Sequence, residues 1–196
     1  MLAKYGNYAF IDGQNLHFGT TKCTSCAVAL GKDIKSMKLN DCTCGQAWEV
    51  DLHKFKIYLA EKYNVTQAYY FLGYVHDENE ELYSEIQKSG FIVAFKEHHR
   101  KAKSTKKGNV DTDLVFEIMR NLIEEGEQFE QVVLVSNDGD YKKLVQYLIS
   151  KGRFRKILHP NKKFASALYK QFGSEIYDYL ENIRTHIQKR KGLLRH

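Results

Sequence analysis

The sequence has 196 residues, enough for one domain with a packed core or a domain carrying a small appendage. Its 43% hydrophobic and 13% aromatic content excludes a disordered chain, and no apolar stretch is long enough to span a bilayer. The formal charge of +6 is local: Lys96 to Lys107 holds six Lys/Arg against one Glu, Arg184 to His196 holds five and no acid, and the remainder is left at about −4. Such segments suit a polyanion, most often nucleic acid, or else a solvated loop and tail.

Tyr8 to Ile11 is a short apolar strand that starts without a signal-peptide pattern, so a cytoplasmic location is expected. Asp12-Gly13-Gln14-Asn15 follows. Asp12 therefore stands at the carboxyl end of a strand, with Asn15 near the same space, although Asp and Asn also satisfy backbone donors in turns. Thr20 to Gln46 keeps neither a helical nor a strand period and holds all four cysteines, Cys23-x-x-Cys26 and Cys42-x-Cys44. We read residues 20–46 as an insertion within a single domain spanning 1–196. The spacing resembles a structural zinc site, whose four thiolates leave no open position for substrate; free thiols and redox chemistry are the other readings.

Trp48 to Tyr63 has helical spacing, Gln67 to Tyr74 is an aromatic strand, Glu78 to Ser89 is a surface helix ended by Gly90, and Phe91 to Phe95 is a third strand. The basic loop to Gly108 enters the edge where strand ends point, with Lys96, Arg100, Lys101, Lys103, Lys106 and Lys107 as phosphate contacts. Asn109 caps a helix whose buried stripe is Val110, Leu114, Val115, Ile118, Met119 and Leu122. Asp113 in its first turn fits the helix dipole. Asp111 lies nearer the stripe, where a carboxylate needs a partner, and a metal would serve.

Val132 to Val135 is an unbroken β-branched run, a strand buried on both faces, and Ser136-Asn137-Asp138-Gly139 leads into a helix marked by Leu144, Val145 and Leu148. Phe154 to Leu158 is a fifth strand and Pro160-Asn161 a turn. Phe164, Leu168 and Phe172 predict a helix, and Ile176 to Ile187 a last amphipathic one. His98, His99 and His159 are expected as phosphate contacts or solvated. The alternation predicts an α/β fold with a parallel sheet covered by helices.

Strand-end placement brings Asp12, Asp138 and Asp140 toward one edge, with Asp111 entering beside them. Clustered carboxylates repel, and a hard divalent cation removes that cost; oxygen ligands suit magnesium or manganese. An acidic centre with basic flanks is the layout of a metal-dependent nuclease. Phosphate-binding glycine loops and a Gly-x-Ser-x-Gly elbow are missing from the sequence.

Three motifs carry a resemblance: FIDGQN at Phe10 to Asn15, KGNVDTDL at Lys107 to Leu114, and VSNDGDY at Val135 to Tyr141. In this order they resemble the NYN domains, PIN-like ribonuclease domains of the LabA-like group, over most of the chain outside the cysteine segment. The resemblance implies a three-layer α/β/α fold and a metal-dependent site acting on single-stranded or structured RNA. It implies metal carboxylates at Asp12, Asp111 and Asp138, with Asp140 in an outer position and Asn15 orienting a water or phosphate. Lys107 would contact phosphate, Ser136 would hold the loop, and Asp113 is a supporting position. PIN-like domains often pair, so a homodimer is one possible assembly while the oligomeric state stays open, and the strand Ala68 to Tyr74 fits core or interface. A non-catalytic RNA-binding module and a nuclease for another nucleic acid are the alternatives.

Overall fold

The computed structural model describes residues 5–73, 79–95, 110–126 and 128–190. Six strands form one parallel sheet in the order β3-β2-β1-β4-β5-β6. They are β1 (Gly6–Asp12), β2 (Val65–Leu72), β3 (Ile92–Phe95), β4 (Phe129–Val135), β5 (Phe154–His159) and β6 (Tyr177–Tyr179). Parallel neighbours need crossovers, and helices supply most of them here: α1 (Gly13–Thr21), α2 (Thr24–Leu30) and α3 (Leu52–Tyr63) between β1 and β2, α4 (Glu80–Lys88) before β3, α5 (Val110–Glu124) before β4, and α6 (Lys142–Ser150) before β5. A short α7 (Arg184–Ile187) closes the described chain.

Side chains alternate along a strand, so β1 feeds two cores. Ala9 and Ile11 pack with Leu16, Phe55, Leu59, Ile86 and Ile187 from α1, α3, α4 and α7. Tyr8 and Phe10 pack with Leu114, Ile118, Leu144 and Val145 from α5 and α6. The sheet is thus covered on both faces, the α/β/α arrangement expected. The aromatic strand resolves to core over its first part: Ala68, Tyr69, Tyr70 and Phe71 are all buried within the protomer.

Three expectations fail locally. The helix drawn through Phe164, Leu168 and Phe172 is a 3-10 helix over Ala167–Phe172. The amphipathic helix drawn over Ile176 to Ile187 is instead β6, a 3-10 turn at Leu180–Ile183 and α7. Ile176, Leu180, Ile183 and Ile187 fall at helical spacing, but Ile157, Leu158 and His159 of β5 offer a ladder that Tyr177 to Tyr179 fills. Tertiary pairing overrides local period in so short a segment. Third, the insertion is not without helix: α2 lies inside it, and Cys23, Cys26, Ala27 and Met37 form a small separate core. The helix predicted from Trp48 begins at Leu52, where the Asp51 carboxylate accepts the Lys54 N–H at 3.1 Å.

Strand order reverses at β1, which pairs with β2 on one side and β4 on the other. The crevice outside the carboxyl ends of β1 and β4 is therefore the topological switch point, where ligands of open α/β sheets bind.

Candidate functional site

Asp12 is the last residue of β1 and the N-cap of α1. Its Oδ1 accepts the Asn15 N–H at 3.0 Å, and its Oδ2 accepts from the Asn15 side-chain amide at 2.6 Å. Helix α1 must start tightly here: a Cβ on Gly13 would stand 2.6 Å from the Phe71 carbonyl oxygen, so only glycine lets the chain turn against β2. Asp12 is 2% exposed, and burial pushes its carboxyl above the usual range; the two Asn15 bonds oppose that shift and the Asp111 charge adds to it.

At the end of β4 the loop is folded by its own side chains. Ser136 Oγ accepts the Asp138 N–H at 3.1 Å and lies 3.4 Å from Asp12 Oδ2. Asp138 Oδ1 accepts the Asp140 N–H at 2.9 Å. Asn137 and Ser136 are buried, whereas Asp138 is half-buried and Asp140 exposed, so the loop turns its two acids outward.

Asp111 and Asp113 stand in the first turn of α5. Carboxylate oxygens of Asp111, Asp138 and Asp140 all lie within 4.8 Å of one another, close enough to share an ion. The structure thus brings together three of the sequence-derived acids and places Asp12 behind them. The link is Tyr141, whose hydroxyl donates to Asp111 Oδ1 at 2.6 Å and lies 3.3 Å from Asp12 Oδ2. Burial, with both carboxylates adding to it, drives the phenol pKa far up, so Tyr141 remains a donor. Sequence reasoning gave Tyr141 no role, although it closes the VSNDGDY motif. Asp140, read as an outer residue, falls among the clustered acids. Asn15, read as orienting a water or phosphate, donates its backbone N–H and one side-chain N–H to Asp12. Asp113 Oδ2 is buried with no hydrogen-bond partner among the described residues.

His159 corrects another expectation: it is 1% exposed at the end of β5, with Nδ1 2.8 Å from the Ser136 carbonyl oxygen. Since a carbonyl only accepts, Nδ1 carries the proton, and burial holds the ring below the usual histidine range. His98, His99 and the basic loop residues Lys96, Arg100, Lys101, Lys103, Lys106 and Lys107 lie outside the described residues. Part of the basic tail is tied down rather than solvated. Arg184 donates to the Gly45 carbonyl at 2.8 Å with its guanidinium over the Trp48 ring, and Lys189 bridges Glu49 and Glu85 at 2.8 Å each.

The four cysteines form a second cluster, with sulfurs within 4.8 Å of one another and no disulfide. Cys23 and Cys44 sulfurs are 3.4 Å apart, Cys42 and Cys44 3.6 Å, and Cys26 and Cys42 3.9 Å.

A profile of the NYN domain matches residues 8–179. The chain belongs to the NYN domain family. The NYN family lies within the PIN-like nuclease superfamily, and the acidic centre of this NYN domain stands at the sheet edge where Asp111, Asp138 and Asp140 meet. A crystal structure of a protein of unknown function, VPA0982 from Vibrio parahaemolyticus, is similar with a TM-score of 0.63 and 14% identity, over 96% of this chain and 100% of that one. At that identity the likeness concerns the fold. No curated protein matches the sequence. Among the described residues, no helix is long and apolar enough to cross a membrane.

Proposed function

We propose that this NYN domain is a metal-dependent endoribonuclease that hydrolyses RNA phosphodiesters at the switch point between β1 and β4. The observation that carries this reading is the meeting of Asp111, Asp138 and Asp140 within 4.8 Å, backed by the buried Asp12. Three carboxylates within 4.8 Å, with Asp12 behind them, repel, and an all-oxygen donor set fits a hard divalent cation such as magnesium or manganese.

Asp111, Asp138 and Asp140 would hold the cation, with Asp12 supplying charge from behind. When bound, such an ion polarises a water and offsets charge on the phosphate. The protein's own part is to fix the donors. Asn15 locks Asp12, Tyr141 pins one oxygen of Asp111, and Ser136 shapes the loop carrying Asp138. In the hydrolysis a water oxygen forms the new bond to phosphorus and the bond to O3′ breaks. The proton ends on O3′, leaving a 5′-phosphate and a 3′-hydroxyl. The basic loop ahead of α5 would hold the strand over the acids.

The cysteine module fits a structural zinc. Zinc–sulfur bonds of about 2.3 Å in a tetrahedron put sulfurs roughly 3.8 Å apart. The separations of 3.4, 3.6 and 3.9 Å agree with that cage.

The test is cleavage of a labelled single-stranded RNA by wild type and Asp138→Asn, with manganese, with magnesium and with chelator. Wild type is expected to cut only with metal. The variant should lose at least about a hundredfold, the loss of several kcal/mol of transition-state stabilisation, with an unchanged circular dichroism spectrum. RNA retained without cleavage in any metal would instead make the domain a binding module.

A further inference from the structure

The chain between β5 and β6, misread from sequence, packs directly on the acidic loop. Ser166 donates its N–H to the Asn137 carbonyl at 3.0 Å, and Asn161 donates its N–H to Asn137 Oδ1 at 3.3 Å. Tyr169 donates its hydroxyl to the Asp138 carbonyl. The fit leaves no slack: a Cβ on Gly139 would stand 2.6 Å from Ser166 Oγ. Whatever binds on this segment therefore lies beside the residues that carry Asp138 and Asp140.

A cavity of about 130 Å³ opens there. His159 and Tyr169 are its buried aromatic members, and Tyr177 and Tyr179 of β6 are half-exposed beside them. The His159 ring lies 5.4 Å from Tyr169, 6.2 Å from Tyr177 and 5.8 Å from Tyr179, and the two β6 rings meet edge to face at 5.8 Å. Lys162 and Lys170 line the same cavity and are exposed; the Lys162 ammonium is 5.8 Å from the Tyr179 ring centre. Among the described residues, no carboxylate lines it. The contrast with the neighbouring centre is chemical. That centre collects acids and suits a cation, whereas this cavity pairs aromatic faces with exposed cations.

Aromatic faces beside lysines are what an unpaired nucleotide uses: the base stacks and the cations meet phosphates. We propose that this cavity is a nucleobase subsite of the RNA strand, stacking an unpaired base on Tyr179 with Tyr177 edge-on beside it, while Lys162 and Lys170 hold the adjoining phosphates. The subsite rests on the ribonuclease reading and extends it. It places the strand across the β5 side of the switch point and makes the substrate locally single-stranded, since a base inside a duplex has both faces covered by its stacked neighbours.

The test uses the full chain carrying Asp138→Asn, so that RNA is bound but not cut, and a fluorescein-labelled oligouridylate 12-mer followed by anisotropy in magnesium at several salt concentrations. Adding Tyr179→Ala is expected to weaken binding roughly tenfold, in the range of one lost base stack, while Tyr179→Phe keeps the ring and restores it. Adding Lys170→Ala, at an exposed position that cannot unfold the chain, should lower the slope of log affinity against log salt by about 0.7. Binding by the Asp138→Asn background that neither Tyr179→Ala nor Lys170→Ala changes overturns the subsite alone. Failure of that background to retain RNA overturns the subsite and the ribonuclease reading together.

Discussion

The acidic centre and the cysteine module each gather ligand-type atoms within 4.8 Å, but they are built in opposite ways. Asp12, Asp111, Asp138 and Asp140 come from the ends of β1 and β4 and the start of α5, elements fixed by the two cores of the sheet. The cysteines all come from Cys23 to Cys44, a stretch whose own core is Cys23, Cys26, Ala27 and Met37. A sheet of this kind is held by its own cores, so an ion bound there would be a reagent. A module with a core of four buried residues has little to offset its chain entropy, so an ion bound there would complete the fold.

Removing one thiolate should separate the two most sharply. Cys26→Ser is expected to abolish stoichiometric zinc and to open residues 23–44 to rapid hydrogen exchange, while the strands keep their protection. Metal analysis with exchange mass spectrometry reads both. Loss of protection across β1 and β4 as well would show the module to be part of the main core. Its attachments give that outcome a route, since Trp48 donates its N–H to Thr20 at 2.8 Å and Arg184 reaches the Gly45 carbonyl.

The next effect is confined to the other region. Tyr141→Phe removes only the hydroxyl that donates to Asp111 and lies beside Asp12. The ring stays buried, and folding changes little. A partner that orients metal carboxylates is commonly worth about 10- to 100-fold in metal affinity or activity. Metal titration of cleavage should show that loss, with zinc content equal to wild type. Unchanged cleavage at limiting metal would reduce Tyr141 to a packing residue.

The same contrast explains what could be read in advance. Five strands and the acids at their ends were legible because long-range order in a parallel sheet is written locally, as apolar runs ending in Asp. Motif order then suggested the family. Tyr141 escaped because a tyrosine in a helix-start cluster has no signature until its hydroxyl is seen between two carboxylates. The segment Asn161 to Ile187 escaped for a different reason. Its apolar spacing satisfies a helix, and only the free edge of β5 makes Tyr177 to Tyr179 a strand. The cysteine spacing disclosed a cluster of sulfurs but not α2 within it, because seven residues with two buried positions, Cys26 and Ala27, show too little period to detect.

The smallest expected effect lies under the acidic loop. His159 donates to the Ser136 carbonyl and faces Tyr169, Tyr177 and Tyr179, with Lys162 and Lys170 lining the cavity alongside. Burial lowers its pKa in the folded state below the ordinary 6.5, against the opposing Ser136 bond. Between those two values the unfolded chain binds the proton more readily, so stability is full above pH 6.5 and falls as pH drops through the window. His159→Gln, which keeps an N–H donor without titrating, should flatten that acid limb in denaturant midpoints taken from pH 7.5 to 5. Zinc content at neutral pH should match wild type in the variant, since this histidine supports the sheet edge and not the cysteine cage. An acid limb as steep in His159→Gln as in wild type would assign the pH sensitivity to other groups and leave His159 as packing alone.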